Sequence, residues 1–358
     1  MSTTPDAEQI ICVTGQHREM LDQVLSVFDI VPHYDLNIMK PGQDLDYVTC
    51  SVLQGVSKVL KKERPDWLLV QGDTTTAFAA ALAGFYEGVP VAHIEAGLRT
   101  HNPMSPWPEE VNRRLVATLA TLHFAPTPLA ANNLLLENIP QNKIFITGNT
   151  VIDALKWTSS RPESEMAINL ILSKYAPKLI KSSKRLVLVT LHRRENLGEK
   201  LKSICQGLKM LAERTDIEIV FPMHMNPAVQ LVVKDVLGKH KHVHCLPPLD
   251  YLPFVALLGR SYIVVTDSGG IQEEAPGLGK PVLVARDTTE RPEAVNEGTA
   301  MLIGTKAMDI YSNCNFLLDN DESYLQMVGK SNPFGDGHSS RRIIKLLQKN
   351  LNLSKKII

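Results

Sequence analysis

Several polar side chains stand directly after short apolar runs, where they are free to do chemistry. Asp73 follows WLLVQG, Glu95 follows VPVAHI, and His192 with Arg193, Arg194 and Glu195 follows RLVLVTL. Carboxylates and imidazoles are the usual carriers of protons in enzymes, and arginines stabilise developing negative charge. A second group lies in DSGGIQEEAPGLGKP (267–281), where an apolar run ends in a glycine pair and a helix begins. Backbone amides at a helix start, with Ser268 and no side chains at Gly269 and Gly270, make a cradle for a diphosphate. Turn geometry alone also explains glycines at such a place. The string has neither GxGxxG nor GxxxxGK[ST], so it is neither a dinucleotide fingerprint nor a P-loop.

Other candidates have two readings each. Glu273 and Glu274 suit the first turn of a helix, where the dipole favours carboxylates. Alternatively Glu274 accepts hydrogen bonds from the two hydroxyls of a ribose, which its two oxygens match. In SPWPEEVNRRL (105–115), Glu109 with Arg113 and Glu110 with Arg114 are spaced four apart, as in surface ion pairs. Arg291, in DTTERPEAVNEG (287–298), suits a carboxylate or a phosphate. His224, after IEIVFPM, is a lone histidine of the kind that is more often structural.

The elements that must position these groups alternate. WLLVQ (67–71), VPVAHI (89–94), LHFAP (122–126) and KIFITGN (143–149) read as strands, with an alanine-rich helix after the first. The rhythm pauses after Thr150 through a helical stretch near 165–175. It resumes with RLVLVTLH (185–192), a helix over about 198–214, IEIVFPMH (217–224), VHCLP (243–247), SYIVVTD (261–267), PVLVAR (281–286) and TAMLIGT (299–305). Two runs of βα units predict α/β architecture with two doubly wound, Rossmann-like domains, 1–150 and 151–338. An amphipathic helix, SSRRIIKLLQKNL (339–351), lies in a C-terminal segment, 339–358, expected to pack back on the first domain. Ligands of such sheets bind beyond the carboxyl ends of the strands, so two facing domains would share a cleft there.

Bulk composition narrows the class. The chain has 358 residues, 44% hydrophobic, enough for two cores. Charges balance at 38 basic and 38 acidic residues, which argues against a nucleic-acid or anionic-membrane partner. No apolar run approaches the roughly 18 residues of a membrane span. The start, MSTTPDAEQI, lacks a signal-peptide pattern, and the five cysteines are scattered and never spaced CxxC. Reduced thiols in a cytoplasmic protein, with no metal site, are the expectation.

The longer strings resemble a known family, the non-hydrolysing UDP-N-acetylglucosamine 2-epimerases. They are GQHREMLDQV (15–24), QGDTTTAFAAALAGFYEGVPVAHIEAGLRT (71–100), SPWPEEVNRR (105–114), HRRENLG (192–198), TDSGGIQEEAPGLGKPVLVARDTTERPEAVNEGT (266–299) and NPFGDG (332–337). The resemblance implies a glycosyltransferase-B-type fold, a homodimer, and interconversion of UDP-N-acetylglucosamine with UDP-N-acetylmannosamine for surface polysaccharides. It assigns acid–base or electrostatic work to Asp73, Glu95, Glu109 and His192, with Arg113 in the same active-site helix. It places UDP contacts on Phe254, Ser268, Gly269, Gly270, Glu274 and Arg291. A second, activating UDP-sugar pocket would involve Gln16, Arg18 and His224. It also implies that a first βα unit with a basic loop, of the order of 30 residues, is missing before QIICVTG, with reduced activity as the consequence.

This chemistry needs no nicotinamide or other cofactor. Loss of UDP acidifies the hydrogen on carbon 2, giving a glycal that re-adds UDP after protonation on the other face. Two faces call for at least two acid–base groups. Alternatives are a B-type glycosyltransferase using a UDP-sugar donor, a hydrolysing epimerase, and an impaired UDP-sugar-binding paralogue.

Overall fold

The computed structural model describes residues 7–16, 18–238 and 240–351. The chain divides into two compact units, 1–150 with 337–358, and 151–336. Both are built of parallel strands alternating with helices.

Among the described residues unit 1 contains six strands: β1 (Cys12–Val13), β2 (Tyr34–Asp35), β3 (Leu68–Gln71), β4 (Val91–Ile94), β5 (Leu122–Ala125) and β6 (Ile144–Ile146). They form two separate parallel sheets, β1–β2 and β3–β4–β5–β6. Successive side chains of a strand point to opposite faces, and the two faces of the larger sheet bury different partners. Val70 and Val91 pack with Val48, Val52 and Val56 of the helix Leu45–Glu63 and with the alanine-rich helix Thr75–Tyr86. Ala92, Leu122 and Phe124 pack with Ile343 and Leu347 of the helix Ser339–Lys349. That helix shows its apolar side chains at a spacing of four, the expected stripe of an amphipathic helix. Gly84 explains how closely the alanine-rich helix sits: a Cβ there would come within 2.9 Å of side-chain atoms of Leu68 and Val91.

Unit 2 holds β7 (Arg185–Thr190), β8 (Ile217–Pro222), β9 (Val243–Leu246), β10 (Ile263–Thr266), β11 (Val282–Val284) and β12 (Ala300–Leu302). One six-stranded parallel sheet results, in the order β12–β11–β10–β7–β8–β9. Along β7, Val187 and Val189 enter one core while Leu188 enters the other; along β10, Ile263 and Val265 oppose Val264 in the same way. Burial on both faces is why these strands read as unbroken apolar runs. The chain starts at the centre with β7, runs outward to β9, and returns to β10 on the other side of β7. The two strands where this order reverses, β7 and β10, are in register from Ile263 opposite Val187 to Thr266 opposite Thr190. A reversal of this kind leaves a crevice at the carboxyl ends of the strands, the preferred ligand position of open α/β sheets.

Candidate active site

In unit 1 the chain brings Asp73, Glu95 and Arg113 together. β3 and β4 pair from Leu68 opposite Val91 to Gln71 opposite Ile94, so Asp73 and Glu95 both leave the sheet at the same end. Gly72 turns the chain with φ +70°, and a Glu95 carboxylate oxygen lies 3.5 Å from where its Cβ would stand. Glu95 itself has φ +65°, a left-handed conformation unusual for a residue with a side chain. Such strain persists where surrounding structure enforces it, and it concentrates at functional positions.

The helix Glu109–Leu119 then supplies the counter-charge. Arg113 Nε donates to Asp73 Oδ2 at 2.9 Å and Nη2 approaches the same oxygen at 2.8 Å. Asn112 Nδ2 donates to the Asp73 carbonyl at 2.9 Å. The i,i+4 pairing of Arg113 with Glu109 expected from spacing is therefore replaced, because Asp73 lies within reach of the guanidinium. Glu109 occupies the first residue of this helix and is half-buried. The neighbouring Glu110 is fully buried and accepts from the backbone of Thr100 at 2.9 Å, that of His101 at 3.1 Å, and Arg113 Nη1 at 3.2 Å. Burial opposes its ionisation, but those two amides and Arg113 prevail and hold its pKa below the ordinary glutamate value. The pairing of Glu110 with Arg114 expected from spacing is present at 3.6 Å, but the loop 100–101 folding over Glu110 makes it a buried acceptor as well.

Gln16 reaches the same region through Thr76, whose hydroxyl donates to Gln16 Oε1 at 2.6 Å at the start of the helix Thr75–Tyr86. Arg18 is held by Asp35 at 2.6 Å and Asp22 at 3.1 Å. His224 lies in unit 2, so the three residues grouped as a regulatory set are distributed over both units.

In unit 2 the site forms where β7 and β10 reverse the strand order. His192 and Arg193 follow β7; Asp267, Ser268, Gly269 and Gly270 follow β10. Ser268 precedes the helix Gly269–Gly277 without capping it through its side chain, leaving its hydroxyl to other partners. The empty space at Gly269 is bordered by guanidiniums: a Cβ there would lie 3.4 Å from Arg193 Nη2 and 3.9 Å from Arg291 Cζ. Two cations beside the first amides of a helix suit an anion. In this state Arg291 hydrogen-bonds Glu273, and Arg193 lies 3.7 Å from Glu290. The His192 ring stacks on His224 with centroids 5.5 Å apart. Burial lowers the His192 pKa below its ordinary value; Asp267 opposes that shift, and His224 and Arg193 add to it.

Glu273 and Glu274 are not first-turn carboxylates, because the helix begins at Gly269 and its first turn carries no acid. Both are buried; Glu274 accepts from the Tyr251 hydroxyl at 3.1 Å. Burial raises the Glu274 pKa to about 7, with Tyr251 opposing and Glu273 reinforcing the rise. Tyr251 escaped the sequence reading because nothing local pairs it with Glu274. Phe254 sits one turn beyond Tyr251 on the helix Tyr251–Arg260, half-buried against the core.

Comparison with known proteins gives the family of the chain. A family model described as UDP-N-acetylglucosamine 2-epimerase matches residues 1–348. The UDP-N-acetylglucosamine 2-epimerase of Salmonella typhimurium is 50% identical over 345 residues, 96% of this chain and 92% of the relative. A crystal structure of the Neisseria meningitidis UDP-GlcNAc 2-epimerase bound to UDP-GlcNAc superposes with a TM-score of 0.87 at 47% identity, covering 98% and 94% of the two chains. The S. aureus MnaA–UDP co-structure follows at 0.84 and 45%, covering 98% and 91%. The fold is accordingly the two-domain α/β type shared with B-type glycosyltransferases. The chain belongs to the UDP-N-acetylglucosamine 2-epimerase family.

Proposed function

We propose that this chain epimerises UDP-N-acetylglucosamine at carbon 2, giving UDP-N-acetylmannosamine. The observation that carries this reading is the pair of carboxylates, Asp73 and Glu95, at neighbouring strand ends with Arg113 anchoring one of them. Epimerisation by elimination needs acid–base groups for both faces of carbon 2, and two separately held carboxylates meet that need.

One carboxylate takes the hydrogen from carbon 2. The C–H electron pair forms the carbon 1–carbon 2 double bond as the carbon 1–oxygen bond breaks, and UDP leaves with that bond's electrons. Re-addition reverses each movement, with carbon 2 protonated on the opposite face, so no oxidant or reductant is consumed. Asp73, Glu95 and Glu109 are the acid–base candidates. His192, with Arg193 and Arg291, stabilises the negative charge gathering on the departing diphosphate. Ser268, Gly269 and Gly270 hold that diphosphate, Glu274 holds the ribose hydroxyls, and Phe254 lines the nucleotide site. Gln16, Arg18 and His224 are assigned to a further, activating UDP-sugar site.

The family supports the wider setting, a cytoplasmic homodimer whose product feeds surface polysaccharide. Exposed Val111 and Leu115, one turn apart on the helix Glu109–Leu119, with exposed Trp107 before it, are apolar surface suited to a second copy. A sedimentation mass equal to one chain would remove the dimer. The chemistry is tested by turnover in deuterated water, which should place deuterium at carbon 2 of both epimers. Full-rate turnover without label would exclude proton exchange at that carbon.

A further inference from the structure

The fully buried carboxylate of Asp267 gathers the loop that follows β7. It accepts from the backbone of His192 at 3.0 and 3.2 Å, from the backbone of Arg193 at 3.0 Å, and from Asn196 Nδ2 at 3.0 Å. His192 Nδ1 lies 3.5 Å from Oδ1, the same oxygen that accepts from the His192 amide at 3.0 Å. Asn196 continues the tie by donating to the Ala285 carbonyl at 3.1 Å, after β11. Directly beneath, Thr190 and Thr266 join β7 to β10 through hydroxyls 2.6 Å apart.

Three of these donors belong to one short loop, and all converge on one acceptor with no solvent access. A buried carboxylate so placed is over-determined: it holds the backbone amides of His192 and Arg193 and so fixes the chain that carries both side chains. We infer that Asp267 is the positioning residue that fixes His192 and Arg193 beside the glycine cradle. It does so through the backbone of the loop and through His192 Nδ1, and it touches no substrate. The inference rests on the reading that His192 serves the departing diphosphate.

Asp267→Asn keeps the shape but removes the charge and sets an amide donor against the three donors at Oδ2 or against the His192 amide at Oδ1. The loop must move, and a displacement near 1 Å at a catalytic group costs on the order of 100-fold in rate. The expected result is a fall in kcat of about that size, with KM for the UDP-sugar changing by less than about fivefold. Loss of the negative charge also leaves burial, His224 and Arg193 to act alone on His192, so its imidazole NMR titration should move to lower pH. A merely structural aspartate would lower the melting temperature and leave kcat in place.

A parent-like kcat in Asp267→Asn would overturn the inference, and an unmoved His192 titration would overturn the contact through Nδ1. Should that variant not fold, Asn196→Ala removes one donor and keeps the charge. Its kcat should fall by about fivefold with the His192 titration unmoved, and a parent-like kcat would equally overturn the inference. His192→Asn separates the two layers: parent-like activity there sinks the role given to His192, whatever Asp267 does. An inactive His192→Asn beside a fully active Asp267→Asn sinks the positioning role alone.

Discussion

In unit 2 six strands join edge to edge from β12 to β9, and every interior strand is buried on both faces. In unit 1 a similar alternation of apolar runs and helices yields a pair, β1–β2, and a separate row of four. β3 therefore ends its sheet among the described residues, although LLVQ has the composition of an interior strand. An end strand keeps one row of backbone groups outside the ladder, and a pair of two-residue strands has little cooperative support. The two units also differ in what they bury. Unit 1 places His93 and His123 side by side across β4 and β5, both buried. Unit 2 buries Glu274 instead. Unit 1 thus buries two bases held neutral, and unit 2 a carboxylate reluctant to ionise.

The difference in sheet continuity should give the largest effect. Amide hydrogens of β7 and β10 should exchange at least about 1,000-fold more slowly than those of β1 and β2, since opening free energies range from near zero to the global value. Equal protection, read by hydrogen exchange with mass spectrometry, would break the contrast.

Acid should separate the units next. Burial lowers the His93 pKa to about 4 and the His123 pKa to about 3, against 6.5 for a free histidine. The unfolded chain then binds more protons than the folded one between about pH 6.5 and 3, so stability is lost as pH falls through that window. Between pH 6.5 and 5 the loss should be on the order of 3 kcal/mol, felt in unit 1. Glu274 works in the opposite sense: held near 7, it stabilises the fold below about pH 4.5 and loses that contribution as pH rises through 7. Urea denaturation followed by Trp67, which borders the Phe124 core, reports unit 1 once Trp107 and Trp157 are replaced by phenylalanine. A midpoint that stays level from pH 6.5 to 5 would count against the buried histidine pair.

The smallest effect sharpens the comparison at the nucleotide. Glu274→Gln should weaken UDP binding by about 1.5 kcal/mol, roughly tenfold, the worth of a hydrogen bond to a charged group. With its pKa at about 7, the carboxylate should also make UDP affinity in the parent rise from pH 6 to pH 8. Calorimetry showing the same affinity for both proteins at pH 8 would remove Glu274 from the ribose.

What the amino-acid order determined by itself is local and periodic. Every strand from WLLVQ to TAMLIGT lies where its apolar run ends against turn residues, and SSRRIIKLLQK forms the helix its spacing demands. The strand end, glycine pair and helix start at DSGG were legible for the same reason, since they are contiguous. The two-residue strand at Tyr34–Asp35 was not, being too short to show a period. Tertiary structure alone decided the partners. Arg113 meets Asp73 from 40 residues away, and His192 meets Asp267 from 75. Such choices depend on which strands become neighbours, which nearby residues do not encode. Hence Glu110 and Asp267, ordinary carboxylates in the sequence, become buried acceptors only once a loop or a second strand end closes over them.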